Sequence, residues 1–398
     1  MNATADVVVV GAGVVGASIA YHLASAGARV IVQERDDIAA SGATASSAGQ
    51  VRLFHPDPAD ADLAVRSLPT FAHWADVIGG DCGFRRTGFA FLAGADRRAD
   101  LMAAVARLTS LGVDTQLLPV EQYAATHPSL RLDGVGAVVY EAASGYADPA
   151  RTVRSLLAGA VRHGAVVRPG DAARSLIRTG DGKVTGIRTA RSAVSAPIVV
   201  VATGVHANDL LPAPVTLPLQ ARPVGWCITD AAAIPGADRL NVTIDDTLGT
   251  YFRPAGPGRV LTRIALTAAL HNAGQVTATD LTRVPPAVLA SALRLLARRL
   301  PAIETVPVLA VRSALEAYTP DGRPAIGPVE EVPGLYLAVG LSGGGFKSAP
   351  ATGLAVAAEL LLGEIREEFA RYRPARFAGA ENSSEQCGPP IAMSGGPS

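Results

Sequence analysis

The feature that most limits what this chain can fold into is the run VVVVGAGVVG near its start. Residues 6–10 form a short apolar run ending at Gly11, as expected for a fully buried parallel strand. Residues 14–26 read as a helix with small residues on its packing side, closed by Gly27, and ARVIVQE reads as a second buried strand. That is one βαβ unit, with Gly11, Gly13 and Gly16 in GxGxxG spacing. The three glycines do different things. Gly11 permits the tight turn, Gly13 lets backbone approach a pyrophosphate, and Gly16 allows close helix–strand packing. Val14 and Val15 open the helix, where free N–H groups and a partial positive charge favour phosphate. Glu34, followed by Arg35, ends the second strand, where its carboxylate can accept both hydroxyls of an adenosine ribose. It also disfavours a 2′-phosphate. The spacing alone does not separate NAD from FAD.

At 398 residues the chain is too long for one compact core, and 49% hydrophobic residues support two domains. Lys+Arg and Asp+Glu both number 35, so no basic excess points to nucleic acid. Cys82, Cys227 and Cys387 are widely spaced, which reads as a reducing compartment without disulfides or metal spacing. Val7 to Ala28 lacks charge, but no basic segment precedes it and three glycines interrupt it. The expectation is a soluble, cytoplasmic protein with no membrane partner; an oligomer is compatible with it.

Further helices are expected at 60–78, 99–111, 151–163, 286–300 and 349–363, and strands at 84–93, 217–229, 249–265, 306–318 and 334–339. AGPG (255–258) is the turn within 249–265, and 183–204 is hairpin-like, ending in an apolar strand before Ala202, Thr203 and Gly204. The basic residues Arg294, Arg298 and Arg299 read as a solvated helix face. Nucleotide-type pieces thus lie at the start, middle and end, with β-rich pieces between them. The fold class is α/β (α+β overall): a Rossmann-like domain from 1–80, 145–215 and 325–370, interleaved with an antiparallel sheet domain from 81–144 and 216–324. Residues 371–398, rich in Pro, Gly, Ser and Asn, read as a disordered tail.

Four segments together resemble the D-amino acid oxidase / glycine oxidase / sarcosine oxidase family of flavoenzymes. They are the fingerprint, SGATASSAGQVR (41–52), SGYADPARTVRSLLAGAVRHGA (144–165) and YTPDGRPAIGPVEEVPGLYLAVGLSGGGFKSAPATG (318–353). The resemblance implies FAD. It assigns Ser41, Thr44, Ser46 and Ser47, with Gly49 and Gln50, to a second FAD loop, and Gly343, Gly344, Gly345, Phe346 and Lys347 to the loop over the isoalloxazine. The glycines can bring backbone N–H groups against a flat ring. A helix beginning near Pro350 would aim its positive end at the reduced, anionic flavin. Relatives attach flavin through a histidine or a cysteine; Ser46 and Glu316 stand at those positions, which implies FAD without a covalent bond.

The resemblance also places Arg52 over the ring and Lys347 on a substrate carboxylate, with His55 either a weaker anion partner or a loop histidine. On the strand from 308, Arg312, Glu316 and Tyr318 alternate onto one face. Glu316 stands where glycine oxidases carry an arginine; either it meets a cationic part of the substrate or Arg312 neutralises it. Tyr251 and Arg253 share a face of the neighbouring hairpin. Where oxidases of the family have an oxygen-activating lysine, this chain has RVLTRIA (259–265), with Arg263 the nearby cation. The implied activity is oxidation of a small amine or amino acid, with a carboxylate, to an imine by hydride transfer to flavin N5. Oxygen, giving hydrogen peroxide, or another acceptor would take the electrons. The alternatives are an FAD-bearing subunit of a hetero-oligomeric oxidase and a 2-hydroxy-acid dehydrogenase.

Overall fold

The computed structural model describes residues 3–37, 41–55, 61–266, 284–364 and 367–378. A six-stranded sheet runs in the order Ala325–Pro328, Leu335–Val339, Ile198–Val201, Val7–Val10, Val30–Gln33, Val166–Arg168. Its strands come from three separated stretches of chain. All neighbours pair in parallel except the edge strand Ala325–Pro328. Val7–Val10 is buried on both faces because its two sides meet different layers. Val7 and Val9 pack among the helices, whereas Val8 and Val10 pack with Val184, Ile187 and Val194 of a smaller sheet. That two-sided burial is why the strand is continuously apolar rather than alternating.

The fingerprint helix Val14–Ser25 lies between the helices Pro149–Arg162 and Gly345–Leu362. Its neighbours reach it through missing side chains. A Cβ on Gly353 would stand 2.2 Å from Ser18 Oγ, and one on Gly159 would stand 2.8 Å from the Tyr21 ring. His22, on the same helix, meets the Pro350 backbone of the last helix, and its Nε2 is buried. Burial pulls its pKa down to about 4, against a hydrogen bond with the Pro350 backbone. The folded protein therefore holds His22 neutral, while the unfolded chain takes up a proton below pH ~6.5. Its stabilisation is complete above that pH and is lost as pH falls from ~6.5 through ~4. Urea unfolding at pH 7.5 and pH 5.0 is expected to differ by about 2 kcal/mol through this residue. Most of that difference should vanish in His22→Gln.

An eight-stranded sheet runs Val308–Tyr318, Gln220–Asp230, Arg259–Arg263, Thr250–Pro254, Val242–Asp245, Phe89–Ala93, Ala137–Glu141, Gln116–Leu118. It is antiparallel throughout except where Val242–Asp245 meets Phe89–Ala93. The interleaved arrangement read from the sequence is thus present as two sheets. Among the described residues no helix is long and apolar enough to cross a membrane.

Three expectations need correction. The last helix begins at Gly345, not near Pro350, and carries Pro350 inside it. The glycine loop itself makes its first turn. Arg299 is not solvated: it is 1% exposed and pairs with Asp245, although Arg294 and Arg298 are exposed as expected. The chain does not loosen at 371. Tyr372 is buried, Arg373 pairs with Glu359 at 2.7 Å, and Arg376 pairs with Asp321 at 2.8 Å. Residues 379–398 of the expected tail, and 267–283 of the expected sheet domain, lie outside the described residues.

Candidate active site

Between the parallel sheet and one face of the antiparallel sheet lies a cavity of 2590 Å³. Drug-sized ligands occupy about 300–1,000 Å³, so this space suits a large cofactor together with a substrate. Gly11 has φ 104, and a Cβ there would stand 2.6 Å from the Ala202 carbonyl oxygen. The turn can therefore be made only without a side chain. Gly11, Gly13, Val14, Val15, Glu34, Arg35, Ala202, Thr203 and Gly204 all line the cavity. Gly16 does not; its Cβ would fall 2.0 Å from the Gly11 carbonyl oxygen, so its role is packing, as the spacing implied.

Glu34 is buried, and its Oε2 accepts from the Ala12 N–H at 2.6 Å and its Oε1 from the Asp36 N–H at 3.0 Å. It braces the glycine loop and still faces the cavity. Thr44 lines the cavity as expected and is also engaged inside the protein. Its hydroxyl accepts from the Val14 N–H at 3.1 Å, occupying one of the helix-end donors assigned to phosphate. Ser41, Ser46, Ser47 and Gln50 line the cavity. Ser41 donates to Asp36, and Ser47 accepts from the Gly49 N–H at 3.1 Å. Gly49 itself, at φ 64, turns the chain against the Ala147 carbonyl and does not line the space.

At the other end, Gly343, Gly345, Phe346 and Lys347 line the cavity. Gly344 does not; a Cβ placed there would stand 3.0 Å from the Leu341 carbonyl oxygen, so this glycine serves the tight turn. Two of the N–H groups expected to face a flat ring are engaged inside the protein. That of Gly343 goes to Glu316 Oε1 at 3.1 Å and that of Gly344 to the Leu341 carbonyl at 2.7 Å. Ser342 opens this turn at φ 48, the only non-glycine with positive φ among the described residues. Its hydroxyl donates to the Gly340 carbonyl at 3.1 Å and accepts from the Thr319 N–H at 3.1 Å. Such strain persists only where surrounding bonds enforce it.

Facing that loop are Tyr251, Arg312, Glu316 and Tyr318, all lining the cavity. Register explains their common direction. Arg222 pairs with Glu316, and Trp226 pairs with both Arg312 and Arg263, so these side chains share one sheet face. Burial raises the Glu316 carboxyl, opposed first by the Gly343 N–H, then by Lys347 and a hydrogen bond with Tyr318. Arg312 is not its neutralising partner among the described residues. Burial raises the Tyr251 phenol to about 12, against the pull of Arg263. Arg222 stacks over the Tyr318 ring at 4.6 Å and donates to Gln220 Oε1 at 3.1 Å.

Arg52 is buried and lines the cavity, donating to the Phe54 carbonyl and lying 5.5 Å from the Phe89 ring centroid. Burial draws its pKa down to about 10, with Glu141 opposing. Arg253, on the same strand face as Tyr251, is not among the lining residues. It donates to the Ala48 carbonyl at 2.5 Å and stacks over Tyr146 at 4.1 Å. His55 is not among the lining residues, so the structure does not bring it to the site. Arg222, Gln220 and Glu141 escaped the sequence reading. The first two alternate with Val224 and Trp226 and were legible as a face; Glu141 acts through the distant Leu53 N–H, at 2.9 Å, and leaves no local signal.

A dinucleotide fits these residues. The glycine turn is a cradle that a Cβ would fill, a helix N-terminus points at it, and Thr203 contributes a buried hydroxyl without a hydrogen-bond partner. The fold and site define a nucleotide-dependent oxidoreductase. The family model DAO, described as FAD dependent oxidoreductase, matches residues 6–359, and the chain belongs to that family. The chain is 27% identical over 385 residues to 4-methylaminobutanoate oxidase (formaldehyde-forming) of Paenarthrobacter nicotinovorans, covering 94% of this chain and 46% of that one. It is 25% identical over 403 residues to the mitochondrial sarcosine dehydrogenase of Mus musculus, covering 95% and 42%. The chain thus spans about half the length of these curated relatives. The fold matches that of L-proline dehydrogenase from P. horikoshii with TM-score 0.84 at 24% identity, covering 95% of this chain and 99% of that one.

Proposed function

We propose that this enzyme oxidises the C–N bond of a small amine or amino acid to an imine, using FAD held without a covalent bond. The observation that carries this reading is the juxtaposition, in one cavity, of Lys347 and the glycine loop with Tyr251, Glu316 and Tyr318 on the opposing sheet face. Bound FAD supplies a two-electron acceptor for hydride at N5. The residues around Gly11, Glu34 and Thr203 would hold its nucleotide end, and those from Gly343 to Lys347 its ring end. Lys347 orients a substrate carboxylate, which fixes the α-carbon hydrogen relative to the ring. Tyr251 and Tyr318 wall off the opposite side from water.

A charge-assisted hydrogen bond contributes about 1.5–3 kcal/mol. Lys347→Met is therefore expected to raise KM for carboxylate-bearing amines roughly 10- to 150-fold. Neutral amines should be affected far less. Anaerobic flavin bleaching across a panel of amines, amino acids and 2-hydroxy acids checks this; bleaching by hydroxy acids alone would overturn the C–N assignment. Acid precipitation is expected to release the flavin into the supernatant.

Oxygen is the acceptor we assign, giving hydrogen peroxide. Arg263 favours a second reading, in which a separate acceptor takes the electrons. It occupies the region where the resemblance places an oxygen-activating lysine, and its guanidinium is engaged with the Gly249 carbonyl at 2.6 Å. Peroxide formation compared with dye reduction on the same substrate separates the two.

A further inference from the structure

We propose that Glu316 is the proton acceptor for the substrate's ammonium group, converting the bound zwitterion to the neutral amine from which hydride leaves. The inference rests on the amine-oxidising reading above. Among the described residues, Glu316 is the one carboxylate on the sheet face that meets the glycine loop. It shares its strand face with Tyr318, and it stands within electrostatic reach of Lys347, whose Nζ donates to the Gly343 carbonyl at 3.5 Å while the Gly343 N–H donates to Glu316. An amino acid whose carboxylate lies on Lys347 therefore presents its ammonium beside the carboxylate that Lys347 already faces. The two ends of a zwitterion are matched by the two charges of the site.

The surroundings keep that carboxylate available. Its cross-strand neighbour Arg222 turns to Tyr318 and Gln220, and among the described residues neither Arg222 nor Arg312 forms an ion pair with it. The Gly343 N–H donates to Oε1 at 3.1 Å and Tyr318 also hydrogen-bonds the carboxylate, which together fix it at the cavity wall where a substrate can reach it. The other titratable groups in electrostatic contact with it are Tyr318 on its own strand, Tyr251 on the hairpin and Lys347 on the last helix, and Arg263 and Arg52 line the same cavity. The two phenols are pushed up by burial, so they stay neutral while a carboxylate titrates. Burial raises the Glu316 pKa above that of a solvated carboxylate, which makes it the stronger base.

In the first step an N–H bond of the ammonium breaks and its proton joins Glu316, giving a neutral amine and a carboxylic acid. From that neutral amine the nitrogen lone pair can form the C=N bond as the α-C–H bond breaks, and FAD, when bound, would supply the acceptor for the hydrogen and its electron pair. The iminium product leaves and hydrolyses, and Glu316 returns its proton to water.

The pH dependence of kcat/KM for anaerobic flavin reduction tests this, on FAD-loaded wild type, Glu316→Gln and Glu316→Asp, with an amino acid that bleaches the wild type. Glu316→Gln must wait for amine that is already neutral in solution. Its kcat/KM should fall about 100-fold at pH 7.5 and climb tenfold per pH unit, so that the deficit closes toward the amine's own pKa. Glu316→Asp should keep the wild-type profile at a reduced rate. A Gln variant with wild-type kcat/KM and profile overturns the proposal, as does an Asp variant, should the Gln form not hold FAD, whose rate is undiminished. If no amine bleaches the wild type, the amine-oxidising reading itself fails, and this inference with it.

Discussion

Arg299→Met is expected to lose about 3–5 kcal/mol of stability, more than any other substitution proposed for this chain. Arg299 is 1% exposed, and its Nε donates to Asp245 Oδ2 at 2.5 Å, a carboxylate that is 0% exposed. Its Nη1 donates to the carbonyls of Arg131 at 3.1 Å and Asp133 at 2.9 Å, and Nη2 donates to Thr247 Oγ1 at 2.6 Å. One guanidinium thus ties the end of a helix to a loop and to the turn after Val242–Asp245. Removing it leaves a buried carboxylate without a counter-charge, which costs more than the intact pair contributes. Asp245 keeps only its Oδ1 bonds, from Thr247 Oγ1 at 2.6 Å and the Leu248 N–H at 3.1 Å. Thermal unfolding followed by circular dichroism checks the size. The exposed neighbour gives the contrast: Arg298→Met should stay within about 0.5 kcal/mol of wild type. Equal effects at both positions would refute the buried network as the cause.

The second large effect is expected at Gly16, which touches no ligand space. A methyl group there would stand 2.0 Å from the Gly11 carbonyl oxygen and 3.4 Å from the Ala202 Cβ. Both close atoms belong to the cradle itself, so Gly16→Ala must push the turn outward or tilt the helix away from its strand. Overpacking of this kind costs about 1–3 kcal/mol. The displaced atoms also carry the Ala12 N–H that Glu34 holds, so the loss should reach the cofactor. We expect the purified variant to retain far less FAD than wild type, seen as a lowered ratio of flavin to protein absorbance. A Gly16→Ala variant with full flavin content would show that the glycine loop can move at no cost to binding.

Legibility in the sequence followed range. The fingerprint, the order of elements and the interleaving of two sheets were readable because each rests on local periodicity and turn chemistry. Gly11, Gly13 and Glu34 line the cavity as their spacing required. The same local rules misread Arg299. Its basic neighbours Arg294 and Arg298 are exposed, and nothing within a few residues announces Asp245, which is 54 positions away. The start of the last helix was misplaced because Pro350 looks like a first-turn residue, whereas the glycine loop before it already winds.

The candidate site divides in the same way. The sequence alone determined that a dinucleotide cradle opens the chain and that Arg312, Glu316 and Tyr318 share a strand face, since both follow from spacing along the backbone. Only the tertiary structure decided which of the predicted groups meet. It turned Lys347 toward Glu316, left His55 outside the cavity, and drew Thr44 onto the helix end. The physical reason is that side-chain partners across a cavity are chosen by packing between sheets far apart in sequence, where desolvation and register, rather than local preference, set the outcome.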